Sequence, residues 1–349
     1  MAKKQVTDDS GKSKTQLALE QLDKTYGKGT VLTLDGKVTG NYDVISTGSI
    51  GFDYITLGVG GFVKGKLYEV MGWEGSSKTT VAAHAVAECQ KTGGNVLYID
   101  GEHAVDKKYF QAIGVDTAKM FIAQPSCGEE GFKIAEDMIN TGEIDLCIID
   151  SDSSLIPKSA IIDGDVGDST IGKKARLNSN AYPRLKNILV KNNTCVIVIS
   201  QYREKIGMMF GNPTTTQGGH ALKFYSDGRI EISKSLAKDG DVSYGNITKV
   251  KAVKNKMCPP YRVAKFDVVW GVGIDIYAEL VELGLEYGII EKSGTWFNYG
   301  EIKLGQKNSV KKILEDNPEV CKEIKDKIIN KIRNTDDLPV EVGSEEPEI

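Results

Sequence analysis

Residues 66–80 read KLYEVMGWEGSSKTT, and this stretch decides the fold. Lys66–Met71 is a short run of strand character that stops at Gly72, and from Lys78 the pattern turns helical. A strand, a Gly-rich turn and a Lys-Thr pair opening a helix are the setting in which backbone N–H groups and a helix N-terminus hold phosphate. Gly72, Trp73, Glu74, Gly75, Ser76 and Ser77 then form the cradle, Lys78 reaches the β- and γ-phosphates of a nucleotide, and Thr79 coordinates Mg²⁺. The usual spacing is G-x-x-x-x-G-K-[ST], whereas here Ser77 stands at the second Gly. If that position requires a positive φ, a non-glycine residue costs about 1–2 kcal/mol there. A plain Gly/Ser turn ahead of a helix is the competing reading, and the context on both sides argues against it.

Working outward, strand-like runs alternate with helical ones: NVLYID (95–100), KMFIAQ (119–124), IDLCIID (144–150) and TCVIVIS (194–200). Near-continuous apolar strands separated by helices predict an α/β fold, a P-loop NTPase core with a mostly parallel sheet covered on both faces. Ligands of such sheets bind beyond the carboxyl ends of the strands. Three polar residues stand there: Asp150, placed to hold Mg²⁺ through water; Glu102, placed to polarise an attacking water as general base; and Gln201, placed to sense the γ-phosphate. The later runs GRIEIS (228–233), YGNITKVKAV (244–253) and YRVAKFDVVW (261–270) have short links and predict an antiparallel extension at one edge.

The expected domains are an N-terminal segment over 1–35 whose helix could pack on another surface, a nucleotide-binding core over 36–275, a small α+β C-terminal domain over 276–335 and a disordered acidic tail over 336–349. Net charge is −4, yet Asp336, Asp337, Glu341, Glu345, Glu346 and Glu348 lie beyond Thr335 with no Lys or Arg among them, so the body is near neutral. No apolar run spans a bilayer and the N-terminus lacks the apolar stretch of a signal peptide, which predicts a cytoplasmic protein with no membrane partner. The six scattered cysteines, without a C-x-x-C pair, predict reduced thiols rather than zinc or disulfides.

Two segments lack periodicity. Residues 163–172 are acidic and Gly-rich; a Ca²⁺ loop fails there because Lys174 occupies the position that needs Glu. Residues 202–219 carry Arg203, Lys205, Met208, Met209 and Phe210, cations with apolar wedges that suit phosphates and unstacked bases, although a mobile surface loop would look similar. Lys254 and Lys256, two apart on a strand, face one way and could reach a phosphate outside their own domain.

The motifs ISTGS (45–49), LGVGG (57–61), IDGEHAVD (99–106), VGDS (166–169), IGMMFGNP (206–213), GGHALKFY (218–225), VKNK (253–256) and ELVELG (279–284), with the P-loop, resemble the RecA recombinase family over roughly residues 15–335. The resemblance implies a filament on single-stranded DNA that uses ATP and Mg²⁺, self-associates helically, pairs with homologous double-stranded DNA and exchanges strands. It implies that Glu102 is the catalytic glutamate, that Lys78, Thr79 and Thr80 grip phosphate and magnesium, and that Asp106 and Tyr109 contact adenine. Gln201 then couples the nucleotide to the long loop. Segments 163–172 and 202–217 resemble the two DNA-binding loops, with Ile171, Arg176, Arg203, Lys205, Ile206, Gly218 and Gly219 at matching positions. Lys254 and Lys256 resemble the pair that reaches the ATP of a neighbouring subunit, Phe224 resembles a subunit contact, and the acidic tail resembles a regulatory terminus.

Pro183 stands where the family usually has a basic residue, and a proline inside a helix is expected to break it. His220 stands where the family usually carries Asn. Ser77 motivates an alternative, a filament that binds ATP and hardly hydrolyses it. A hexameric helicase on the same core is a third reading, against which the VKNK pair, the MFGNP loop and the C-terminal domain count.

Overall fold

The computed structural model describes residues 13–27, 31, 42–162, 171–204, 214–216, 218–306, 309–335 and 338–341. Residues up to Tyr42 form one compact unit and residues from Asp43 another. The first unit holds α1 (Lys14–Tyr26), started by a capping box in which Ser13 and Gln16 satisfy each other's backbone amides at 3.2 and 2.9 Å.

The second unit opens with the short pair β1 (Val44–Ile45) and β2 (Phe62–Val63) around a π-helical turn, Gly51–Thr56. There follow β3 (Leu67–Gly72), α2 (Lys78–Lys91), β4 (Val96–Asp100), α3 (Lys107–Ile113), β5 (Met120–Ala123), α4 (Gly128–Asn140), β6 (Leu146–Asp150), α5 (Lys158–Ile162), α6 (Ile171–Lys191) and β7 (Cys195–Glu204). Beyond the long loop come β8 (Thr214–Thr216), α7 (Ala221–Tyr225), β9 (Gly228–Asp239), β10 (Val242–Asn255), β11 (Val263–Val269) and β12 (Gly273–Ile274). The last segment holds α8 (Ile276–Glu286), a three-stranded sheet of β13 (Glu291–Ser293), β14 (Trp296–Tyr299) and β15 (Ile302–Gln306), then α9 (Val310–Asp316) and α10 (Pro318–Arg333).

The central sheet runs β12-β11-β10-β9-β3-β7-β6-β4-β5, with β8 paired to β7. Strands β9, β3, β7, β6, β4 and β5 are mutually parallel, and β10, β11 and β12 extend the sheet antiparallel beyond β9, as the sequence predicts. β3, β4 and β6 are buried along their whole length, which is why they read as apolar runs rather than alternating ones.

One reading needs correction. Helix α6 is not broken at Pro183; it runs through it for 21 residues. The ring removes only the amide that would serve the carbonyl of Ser179, an exposed residue where water can replace it. The run 310–333 holds two helices, because Asn317–Pro318 ends α9 and Pro318 starts α10 at the position where its missing N–H costs nothing.

Apolar packing is continuous across residue 275. Leu280, Ile324 and Ile328 belong to the same buried cluster as Phe52 and Phe266. Two buried acids hold the motif 45–49: Asp53 from within the same segment and Glu279, of the motif 279–284, from across the junction. Asp53 accepts from Ser46 and Thr47, and Glu279 accepts from Ser49 Oγ and the amides of Ile50 and Gly51. Burial pushes both carboxyls up to about 7.

Candidate active site

Strand β3 delivers Gly72, and α2 starts at Lys78, so the turn between them sits at the carboxyl end of the parallel sheet. Gly75 has φ 65° and Ser77 has φ 70° and ψ 20°. The left-handed conformation suspected from the missing glycine is therefore present, with serine bearing it at a cost of about 1 kcal/mol. The Ser77 hydroxyl caps nothing; its nearest partner is Thr248 Oγ1 at 3.5 Å. Ser76 Oγ is buried without a hydrogen-bond partner, an orphan that a phosphate oxygen would satisfy. Lys78 is buried and folds back over the turn, donating to the carbonyls of Gly72 (3.1 Å) and Trp73 (2.7 Å). Burial lowers its pKa, while Asp150, Glu102 and Glu74 pull it back up.

Thr79 Oγ1 donates to Asp150 Oδ2 at 2.9 Å, and the Tyr98 hydroxyl donates to the same atom at 2.7 Å. Burial raises the pKa of Asp150 above the usual carboxylate value, opposed by those two hydrogen bonds. One hydroxyl and one carboxylate are hard oxygen donors of the kind Mg²⁺ takes when phosphates and waters complete its shell. The donor set, the orphaned Ser76 and the cradle together fit a nucleoside triphosphate with Mg²⁺.

Glu102, one residue past the turn after β4, is exposed at the mouth of this cleft. Its Oε1 accepts from Ser151 Oγ at 2.6 Å and from Gln201 Nε2 at 2.7 Å. Three parallel strands are thereby joined: β4 through Glu102, β6 through Ser151 and β7 through Gln201, which pairs with Gly72 at the end of β3. Trp73 packs edge-on against Tyr202 at 6.0 Å, giving the phosphate turn a second link to β7.

The cleft has a volume of about 620 Å³. Tyr109 lines it, and its hydroxyl is 2.8 Å from Thr80 Oγ1. Asp106 lies outside the lining; its Oδ1 caps α3 by accepting from the amides of Lys108 (2.8 Å) and Tyr109 (3.3 Å), and so orients Tyr109. The opposite wall was missed from sequence: Lys234 and Leu236 on β9, Asn246 on β10 and Trp270 after β11. Lys234 reaches the phosphate turn so closely that a Cβ on Gly75 would stand 2.8 Å from its Nζ. An exposed Trp beside Gly at a strand end was the available signal, at Trp270-Gly271.

Lys254 and Lys256 are not in this cleft. Lys254 Nζ donates to the carbonyls of Lys223 (2.7 Å) and Phe224 (3.1 Å), and Lys256 is paired with Asp227 at 3.3 Å. Asp227 also pairs with Lys186 and accepts from the amide of Leu67, the first residue of β3. Phe224 is exposed.

Among the expected DNA contacts, Arg176 is exposed on α6 and Arg203 is exposed on β7, opposite Thr215 of β8. Ile171 opens α6. Gly218 and Gly219 have φ of 93° and 78°. Lys205 and Ile206 lie outside the described residues, as do 163–170 and most of 202–217. Of the acidic tail, Leu338–Glu341 is described: Val263 N donates to Pro339 O at 3.0 Å, and Glu341 pairs with Lys249 of β10. His84 accepts from the amide of Ile274 at 2.8 Å inside the core. All six cysteines are free, and no described helix is long and apolar enough to cross a membrane.

Comparison with known proteins agrees with the geometry. The RecA N-terminal domain family matches residues 13–275 and the RecA C-terminal domain family residues 278–333. The chain is 49% identical to the Protein RecA of Cytophaga hutchinsonii over 91% of this chain and 90% of that one. It is 46% identical to the Protein RecA of Porphyromonas gingivalis (94% and 97% covered) and 47% identical to that of Campylobacter lari (93% and 95%). A Gly-rich turn opening a helix, a threonine–carboxylate pair beside it and a glutamate tied to the strand that leads into the long loop are thus carried by a sequence that the two family models match over 13–275 and 278–333: the chain belongs to the RecA family.

Proposed function

We propose that this chain is an ATP-dependent recombinase that assembles on single-stranded DNA, pairs it with homologous duplex and exchanges strands, hydrolysing ATP to ADP and phosphate as it does so. The observation that carries the reading is the hydrogen bond between Glu102 and Gln201, because Gln201 stands on the strand that runs directly into the 202–219 loop.

In this mechanism the amides of the 73–79 turn and the freed ammonium of Lys78 bind the triphosphate. Thr79, with Asp150 hydrogen-bonded to it, would hold Mg²⁺, which would supply charge neutralisation at the phosphates. Glu102 orients a water and takes its proton, a contribution of about 10²–10⁴-fold for a placed general base. Gln201, by keeping or releasing Glu102, links nucleotide state to the loop. Arg176, Arg203 and Gly218–Gly219, with Lys205 and Ile206, face DNA. Lys254 and Lys256 serve the nucleotide of an adjacent protomer. The reading of a filament that binds ATP without hydrolysing it is not favoured, since Ser77 takes up the φ that the turn needs and Glu102 keeps both of its partners.

Steady-state hydrolysis with and without single-stranded DNA tests this, followed by strand exchange between homologous DNAs. Turnover should be low alone, rise with DNA, and fall by about 10²-fold or more in Glu102→Gln and Lys78→Ala. Turnover at the level of these variants, with DNA present, would remove the enzyme reading.

A further inference from the structure

Asp152 begins the 3₁₀ turn Asp152–Ser154 just past β6 and is 1% exposed. A carboxylate buried there has to be met by donors. Asn178 Nδ2 donates to its two oxygens at 3.2 and 3.0 Å, the Tyr182 hydroxyl donates to Oδ1, and Lys174 Nζ stands 3.4 Å from Oδ1. Residues 174, 178 and 182 recur every four positions, so a single face of α6 meets this one acid, and all three are buried.

The second hydrogen of Asn178 Nδ2 goes to the carbonyl of Gly218 at 3.1 Å. Turning the amide over would set its oxygen against a carboxylate, so the orientation is fixed by its partners. Gly218 has φ 93°, and a Cβ there would collide with Asn178 Nδ2 and Asp152 Oδ2. Only glycine permits this approach. On the other side, Ser151, the residue before Asp152, is the donor that holds Glu102 at 2.6 Å. One buried acid therefore joins α6, which emerges from the 163–172 segment, to Gly218, which closes the 202–219 segment, one residue away from the serine that positions the general base.

We propose that Asp152 is a positioning residue through which the placement of α6 and Gly218 is transmitted by Ser151 to Glu102, so that bound single-stranded DNA sets the rate of hydrolysis. The inference rests on the reading of those two segments as DNA-binding elements. Hydrogen-bonded networks of this kind carry coupling between sites when they have a defined set of partners to gain or lose. A hub that merely held α6 in place would affect stability and leave the ratio of DNA-stimulated to unstimulated turnover unchanged.

The test uses the full chain. Asn178→Ala cuts the tie to Gly218 and keeps the Asp152–Lys174 pair; the double variant Asp152→Asn with Lys174→Met removes the hub while leaving no lone charge buried. kcat and KM for ATP are measured with and without saturating single-stranded DNA, beside anisotropy binding of a labelled oligonucleotide. In both variants the stimulation ratio should fall about tenfold through kcat, with unstimulated turnover, KM and DNA affinity within about threefold of wild type. Folded Asn178→Ala protein with the wild-type ratio overturns the proposal, whether or not the double variant folds. A ratio that falls only in step with lost DNA affinity overturns it too. Wild-type turnover that DNA does not raise overturns the DNA-dependent reading and this inference together, and shows before any variant is compared.

Discussion

The two ends of the parallel sheet carry cations in opposite circumstances. At the carboxyl end, Lys78 is held over the phosphate turn: its partners are backbone carbonyls of that turn, and the buried Ser76 hydroxyl beside it has no protein partner. At the amino end, Lys186 and Lys256 are paired with Asp227, and Lys254 is spent on the carbonyls of Lys223 and Phe224. Asp227 binds the first residue of β3 and the phosphate turn follows its last, so the two groups are a strand apart, about 17 Å for six residues. A lysine side chain spans well under half of that. Any phosphate that Lys254 and Lys256 serve therefore lies outside their own chain's cleft, and on the proposed function one chain would contribute two halves of a site from opposite ends of one sheet.

The largest expected effect tests that division directly. Lys78→Ala and Lys254→Ala/Lys256→Ala should each lower DNA-stimulated hydrolysis by about 10²-fold. An equimolar mixture of the two should recover, because some junctions join an intact phosphate turn to intact lysines; in a random head-to-tail assembly about a quarter of junctions do so. A mixture no better than the average of its components would mean that the two ends do not meet across chains.

The carboxyl end was legible because its parts are local. The P-loop lies within one strand–turn–helix, and Asp150, Glu102 and Gln201 each follow an apolar run that marks its own strand. The wall formed by Lys234, Asn246 and Trp270 was not legible, since these residues sit on antiparallel strands whose order relative to β3 no single run specifies. Asp152 escaped for a similar reason: its partners come from α6 and from residue 218, and a short polar run, DSDSS (150–154), looks like any loop. Pro183 misled because a helix tolerates the loss of one hydrogen bond where the orphaned carbonyl can face water. The motifs 45–49 and 279–284 marked the family correctly, yet their chemistry proves structural, an acid-capped junction between the core and α8.

Helix α2 connects the comparison to stability, because it begins at Lys78 and buries His84 two turns later. Burial pushes the His84 pKa down to about 4, and its Nε2 must stay unprotonated to accept from Ile274 N. A folded pKa below the unfolded value of about 6.5 means that protons bind the unfolded chain more tightly, so this contribution is complete above pH 6.5 and lost as pH falls toward 4. Asp53 and Glu279, raised to about 7, act oppositely over an overlapping range, since their burial costs more as pH rises toward 7. The informative quantity is therefore the difference between wild type and His84→Gln in urea unfolding. That difference should shift against the wild type by up to about 3 kcal/mol between pH 7 and pH 4. A constant difference would show that His84 is protonated equally in both states.

The smallest effect concerns Ser77, and it decides how complete the carboxyl end is. Since Ser77 already has φ 70°, the strain is borne in the folded chain without nucleotide, and the backbone at that position needs no rearrangement to take up the left-handed conformation. Ser77→Gly relieves about 1 kcal/mol of that strain, and the added freedom of glycine in the unfolded chain takes back about as much. The variant should therefore unfold within about 1 kcal/mol of wild type and hydrolyse ATP within about threefold of it. A glycine variant that turned over about tenfold faster would mean that the serine side chain, 3.5 Å from Thr248, restrains the phosphate turn. The carboxyl end would then be held back from within its own chain, and completing it from a neighbour would not be enough to give full turnover.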